Sequence, residues 1–297
     1  MNEKIYVPPI KIQGIKTKLV PLIKCNVAVD EKTLWIEPFM GSGVVGFNIK
    51  PQKAIFADIN PYIIDFYKQL KDKKINSYII KSFLEENGRL LSEKDDEYYY
   101  EVRERFNTKH EPLDFLFLNR SCFNGMIRFN KDYKFNVPYG HKPQRFSKAY
   151  ITKIVNQVKY IEDCLLECDW EFVCDKFEET LKSINENSFV YCDPPYIGRY
   201  VDYYDSWNEE NEIKLCNVLK NSGCKFMLST WDHNDYRENS YIENLWNFCF
   251  KMTREHFYHV GAKEENRNPI VEALLTNYEP YECSNKLLLE NEQLRFA

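Results

Sequence analysis

The run Val190-Tyr191-Cys192-Asp193-Pro194-Pro195-Tyr196 constrains this chain more than any other stretch. Its apolar start reads as the end of a buried parallel strand, and the two prolines stop that strand. Each proline lacks an N–H and holds φ near about −65°, so the backbone turns a stiff corner. The corner gathers a carboxylate, the Pro194 carbonyl and an aromatic ring around one spot. In an open α/β sheet that spot lies at the carboxyl edge, where ligands bind.

The rest of the chain supplies the sheet this strand needs. Short β-prone runs at 33–37, 54–58, 171–174 and 188–192 alternate with helical periodicity near 19–23, 62–70, 150–166 and 211–219. A further buried strand is expected at 224–229, stopped by Thr230-Trp231-Asp232-His233-Asn234. Such alternation argues a mostly parallel sheet. Residues 250–260 and 270–278 are β-prone about the polar stretch 261–269, and read as an antiparallel pair. Between 86 and 149 the alternation stops. Residues 85–104, strongly charged around Tyr98, Tyr99 and Tyr100, read as a solvated helical face, and Phe115 to Leu118 as a buried helix segment. The expected architecture is α/β, with 1–85 and 150–297 forming the sheet domain and 86–149 an inserted small helical and loop domain.

Composition narrows the class. Hydrophobic residues make up 44% and charged residues 29% of 297, an ordinary globular balance. No run approaches the roughly 18 apolar residues of a membrane span. Met1-Asn2-Glu3-Lys4 leads into no apolar signal core, so a cytoplasmic location is expected. Ten cysteines are scattered from Cys25 to Cys283 without a C-x-x-C pair. Cys164, Cys168 and Cys174 read as buried reduced thiols rather than a metal site, and no metal is expected.

Gly41-Ser42-Gly43-Val44-Val45-Gly46 matches G-x-G-x-x-G, and Asp58 stands near the roughly 20-residue offset of a ribose-binding acid. The preceding Glu37-Pro38-Phe39 is unusual for a dinucleotide loop, because proline stiffens the turn before the glycines. The loop implies an adenosine-bearing ligand and leaves a dinucleotide oxidoreductase open. The proline corner narrows the choice. An exocyclic amine on a nucleobase is a poor nucleophile, since its lone pair is delocalised into the ring. Asp193 and the Pro194 carbonyl can accept its two hydrogens from one rigid turn, while Tyr196 stacks on the ring.

The formal net charge is −5, yet one span is basic. From 120 to 148 it holds Arg120, Arg128, Lys131, Lys134, Lys142, Arg145 and Lys148, with Asp132 its one acid. Phe123, Phe129, Phe135, Tyr139 and Phe146 are interleaved. This is the local footprint of a nucleic-acid surface.

Together these pieces resemble the Dam-like family of DNA adenine-N6 methyltransferases, over about residues 8–280. The resemblance rests on Asp193-Pro194-Pro195-Tyr196, Glu37-Pro38-Phe39-Met40-Gly41-Ser42-Gly43 and Ala57-Asp58-Ile59-Asn60. It extends to Leu118-Asn119-Arg120 through Asn124-Gly125, and to Phe135-Asn136-Val137-Pro138-Tyr139-Gly140.

The resemblance implies a Rossmann-like methyltransferase sheet, S-adenosylmethionine as cofactor and double-stranded DNA as partner. Asp193, Pro194 and Tyr196 would be catalytic. Lys16 would lie near the cofactor's methionine end, Asp58 and Ile59 at its ribose, and Asp175 and Phe177 beside its adenine. Phe39, Gly41, Ser42 and Gly43 would line it, with Glu37 where the family often has Asp. The family's Lys-Trp-x-Gly-Gly-Lys becomes Lys11-Ile12-Gln13-Gly14-Ile15-Lys16, so Ile12 offers aliphatic packing in place of an aromatic face. Arg128 would read a guanine, Phe123 and Asn124 would sit near the target base, and Arg120, Asn136 and Lys142 would also meet DNA. Tyr196 and Phe39 would receive the flipped adenine. The implied enzyme acts as a monomer and admits a cognate restriction endonuclease as partner. Cytosine-N4 or RNA amino-methylation, and a DNA-binding module with an inactive cofactor site, are the competing readings.

Overall fold

A computed structural model describes residues 4–197, 207–256 and 270–281. Five strands run parallel: β1 (Leu34–Glu37), β2 (Lys53–Ala57), β3 (Asp169–Val173), β4 (Ser188–Cys192) and β5 (Lys225–Asn234). A two-residue strand, β6 (Arg237–Glu238), folds back on β5. The last two are β7 (Phe250–His256) and β8 (Ile270–Thr276), both in antiparallel pairings, so the order is β3-β2-β1-β4-β5-β8-β7. The mixed sheet matches the expectation, including the antiparallel pair; residues 257–269 lie outside the described ones.

Every residue of β4 is buried, which suits a strand flanked by β1 and β5 and covered on both faces. Strand order reverses between β1 and β4, where Ile36 pairs with Val190. Glu37 and Asp193 therefore emerge side by side at the switch point, the place where open α/β sheets bind ligands.

Ten helices surround the sheet: α1 (Val20–Asn26), α2 (Val44–Ile49), α3 (Pro61–Lys71), α4 (Ser77–Lys94), α5 (Asp96–Lys109), α6 (Pro112–Ser121), α7 (Lys148–Glu167), α8 (Phe177–Thr180), α9 (Glu209–Asn221) and α10 (Ser240–Asn244), counted among the described residues. None is long and apolar enough to cross a membrane. Asn60 caps α3, its side chain accepting from the Tyr62 and Ile63 amides, with Pro61 in the first turn. One core cluster packs Trp35, Phe47, Phe56, Tyr67 and Trp170; a second packs Val190, Cys192, Leu215, Phe226 and Trp246.

Three expectations change. Strand β5 runs through Thr230–Asn234 instead of stopping at Ser229, because β8 and β6 pair along its polar end across an irregularity at Trp231/His233. The face at 85–104 is not wholly solvated. Tyr98 and Tyr99 are buried, their hydroxyls donating to Asn87 Oδ1 and the Val137 carbonyl, each at 2.7 Å. Charges on the outer sides of α4 and α5 masked a narrow inner stripe of Leu91, Tyr99, Val102 and Phe106 that joins the first cluster. Residue 86 lies inside α4, and Leu91, Tyr99, Phe106 and Phe115 of the 86–149 stretch pack in the first cluster. The nine described cysteines are free; Cys164 is buried as expected, Cys168 is half-buried and Cys174 is exposed.

Candidate active site

The chain leaves β4 into Asp193, and four groups from three parts of the sequence meet there. Lys16 Nζ lies 3.0 Å from Asp193 Oδ1 and 3.7 Å from Glu272 Oε1. It also donates to the Gly14 carbonyl at 3.0 Å, a turn that needs Gly14 at φ +77°. The same ammonium stands 4.9 Å from the centroid of the Tyr196 ring. The Tyr196 hydroxyl in turn donates to Glu272 Oε1 at 3.0 Å. Lys16 and Glu272 are 6% and 1% exposed, whereas Asp193 keeps 22%. Burial pushes the Asp193 carboxyl up to about 6, with Lys16 pulling it back and Glu272 adding to the rise. Its carboxyl therefore binds a proton more readily than an ordinary aspartate does.

Beside it, Gly41 at φ +51° and Gly43 at φ +78° turn β1 into α2. The Gly41 amide donates to Asp58 Oδ2 and the Asn60 amide to Asp58 Oδ1, each at 2.9 Å. Burial raises the Asp58 carboxyl while these two N–H groups pull it down. Ile12 lies over the loop, its Cδ1 3.5 Å from where a Cβ on Gly41 would be. The Tyr67 hydroxyl holds the Ser42 carbonyl at 2.8 Å. Phe39 packs 5.6 Å from Phe177 and edge-on to Trp207 at 5.4 Å. Ile59 and Asp175 are exposed nearby in sequence, after β2 and β3. An open glycine backbone, a carboxylate, an ammonium and an aromatic cluster suit an adenosine ligand with a charged tail.

Glu37 turns the other way. Its Oε2 accepts from Trp35 Nε1 and from the Gly46 amide, both at 3.1 Å, and the side chain is buried. Burial pushes its carboxyl up to about 8, these donors lowering it and the Asp193 and Asp58 charges raising it. A Cβ on Gly46 would stand 2.5 Å from that carboxylate and 2.2 Å from Phe56. Glu37 thus braces the glycine turn from below.

The basic stretch after α6 is held by isolated bridges, Cys122 with Tyr139 and Phe129 with Phe135. Phe123 is 51% exposed, and Asn124 beside it adopts φ +54°. Arg128 Nε donates to Asn136 Oδ1 at 2.9 Å, so those two residues form one unit, and Lys142 is exposed. Arg120 differs from the expectation of a DNA contact. It is 6% exposed and donates inward to Gln157 Oε1 at 2.6 Å, and burial lowers its guanidinium to about 10. Lys11, tied to α6 by reciprocal bonds with the Asn119 amide at 2.8 and 2.9 Å, is lowered by burial to about 8, Arg120 and Arg145 adding to the effect.

Glu272 was invisible to sequence reading because its role depends on β8 lying beside β5. The available signal was one acid in the apolar run Ile270-Val271-Glu272-Ala273-Leu274-Leu275. An open hollow of about 460 Å³ between Asp30, Lys32, Glu186 and Lys225 lies at the amino-terminal ends of β1, β4 and β5, away from this chemistry.

The sheet order, the glycine turn after β1 and the Asp-Pro-Pro-Tyr corner after β4 together define a Rossmann-like methyltransferase of the amino-group class. A family model described as D12 class N6 adenine-specific DNA methyltransferase matches residues 13–266. Type II methyltransferase M.MjaIII of Methanocaldococcus jannaschii is 30% identical, over 91% of this chain and 99% of its own length. Type II methyltransferase M.FokI of Planomicrobium okeanokoites is 31% identical over 92% of this chain, which spans only 43% of that relative. The DNA adenine methylase of Haemophilus influenzae is 32% identical over 64% of this chain and 63% of its own. The chain belongs to the D12 class of N6 adenine-specific DNA methyltransferases.

Proposed function

We propose that this chain moves a methyl group from S-adenosylmethionine to N6 of an adenine flipped out of duplex DNA. The observation that carries the reading is Asp193, held at the switch point by a proline corner and flanked by Lys16 and the Tyr196 ring. S-adenosylmethionine, when bound, supplies an electrophilic methyl on a sulfonium. Asp58 suits its ribose hydroxyls, Lys16 its carboxylate, and Phe39 with Phe177 its adenine side; Glu37 acts by bracing the turn.

Asp193 and the Pro194 carbonyl accept the two N6 hydrogens and turn the nitrogen lone pair toward the methyl. Their shared rigid backbone supports this, because orientation supplies a large share of such barriers. As the N–C bond forms N6 sheds a proton, and an acceptor raised toward neutrality is suited to take it. Tyr196 stacks on the base.

Residues 86–149 act as the recognition segment, with Arg128, braced by Asn136, reading a guanine. Phe123 and Asn124 occupy the space the target base leaves, and Lys142 meets phosphate. Arg120 supports the segment from inside. The enzyme acts as a cytoplasmic monomer, and relatives named type II methyltransferases support pairing with a restriction endonuclease.

The test is methyl transfer from labelled S-adenosylmethionine to mixed-sequence duplex DNA, followed by nucleoside analysis. Label on N6-methyladenine is expected; label on cytosine N4, or none in DNA, sinks the reading.

A further inference from the structure

We propose that Glu272 is a positioning residue of methyl transfer, holding the Tyr196 ring through its hydroxyl and drawing Lys16 off Asp193. The inference rests on the reading above, in which Asp193 takes the N6 hydrogens and Tyr196 the base.

Glu272 is 1% exposed, and a carboxylate that deep is retained only where it is partnered. Two of its partners are at the site. The Tyr196 hydroxyl donates to it at 3.0 Å, and the Lys16 ammonium stands 3.7 Å away. Tyr196 is the last residue of a corner whose prolines set the backbone yet leave the tyrosine ring free to turn about its own side-chain bonds. A hydrogen bond from its far end to a strand of the main sheet removes that freedom. The anchor is stiff because β8 is paired on both sides, Glu272 lying opposite Trp231 of β5 and Arg254 of β7.

The second effect is on Asp193. Lys16 holds one oxygen of the carboxylate that must accept the N6 hydrogens. A competing carboxylate on the far side of the ammonium weakens that claim. Among the described residues, the charged and titratable groups around Asp193 are Lys16 of the N-terminal segment, Glu37 of β1, Tyr191 and Cys192 of β4, Tyr196 and Glu272. Among them Glu272 is the carboxylate that shares Lys16 with Asp193.

Five variants decide it: Glu272→Ala, Glu272→Gln, Tyr196→Phe, Tyr196→Ala and the double variant Glu272→Ala/Tyr196→Phe, assayed on unmethylated genomic duplex DNA. Expected are a fall in kcat of about tenfold for Glu272→Ala and for Tyr196→Phe, the loss of one buried hydrogen bond to a charged group. KM for DNA should stay within about twofold, and the double variant should be no worse than either single one. Glu272→Gln keeps an acceptor for the hydroxyl and should recover part of the rate, the remainder reporting the lost pull on Lys16. It also removes a charge that raises Asp193, so the acid limb of kcat/KM, expected near pH 6 in the parent, should move to lower pH. Calorimetry with S-adenosylmethionine gives a readout independent of turnover, and should show binding within about threefold of the parent for Glu272→Gln. Additive losses, or unchanged kcat in Glu272→Ala with an unmoved acid limb, overturn the proposal. Unchanged turnover in Tyr196→Ala would instead remove the base-stacking reading on which it rests.

Discussion

The Asp-Pro-Pro-Tyr corner and the basic stretch after α6 carry opposite electrostatic burdens. At the corner burial lifts acids, Asp193 to about 6 and Glu37 to about 8. Around the base of the recognition segment burial lowers cations, Lys11 to about 8 and Arg120 to about 10. The cause is the same, loss of water around a charge, but the compensation differs. Asp193 has its counter-ion within the protein, whereas Arg120 donates to the Gln157 side-chain amide and Lys11 stands near Arg120 and Arg145. A corner that supplies its own counter-charge is ready before substrate arrives. A basic surface gains most when a polyanion reaches it.

The sharpest way to break this contrast is Asp193→Ala. Turnover should fall by about 10²–10⁴-fold, the usual range for a positioned proton acceptor, while cofactor affinity is partly kept. Labelled methyl transfer and calorimetry measure the two separately; a mild loss of turnover would remove Asp193 from the chemistry. Next in size is Arg128→Ala, which should relax the preference at one base by about 1–3 kcal/mol, read by sequencing methylated bases in host DNA. Equal weakening at all sequences would make it a phosphate contact instead.

Glu37→Gln tests whether the brace under the glycine turn works without charge. The carboxyl is raised from 4.5 to about 8, so the folded state binds a proton more tightly than the unfolded chain. That stabilisation is complete below 4.5 and lost as pH rises through about 8. The melting temperature of the glutamine variant should therefore gain on the parent as pH rises from 5 to 8, with cofactor affinity little changed. A large loss of cofactor binding would make Glu37 a ligand. The smallest effect is expected from Lys142→Ala, a uniform loss of DNA affinity with the salt slope reduced by about 1.

Much of the corner could be read from its residues because the constraints are local. Prolines end a strand wherever they fall, and Gly41 and Gly43 announce a turn whose φ other residues resist. Alternating strands and helices made the parallel order predictable. What stayed hidden depends on distant partners. Thr230–Asn234 looks like a turn until β6 and β8 pair with it, and Tyr99 looks solvated until the Val137 carbonyl accepts its hydroxyl. Arg120 looks like a surface cation until Gln157 takes it inward. Glu272 belongs to the same group.

Strand β8 takes an interior place in the sheet although it is made after β7, its outer neighbour. The Tyr278 hydroxyl then reaches back to the Asn26 carbonyl, 252 residues earlier, at 2.6 Å. On the ribosome, a chain elongated as far as β7 already holds the glycine turn and Asp193, yet lacks Glu272. The edge of β5 that β8 covers therefore stays open until the last strand is made, and the Lys16–Asp193 pair gains its second carboxylate only then.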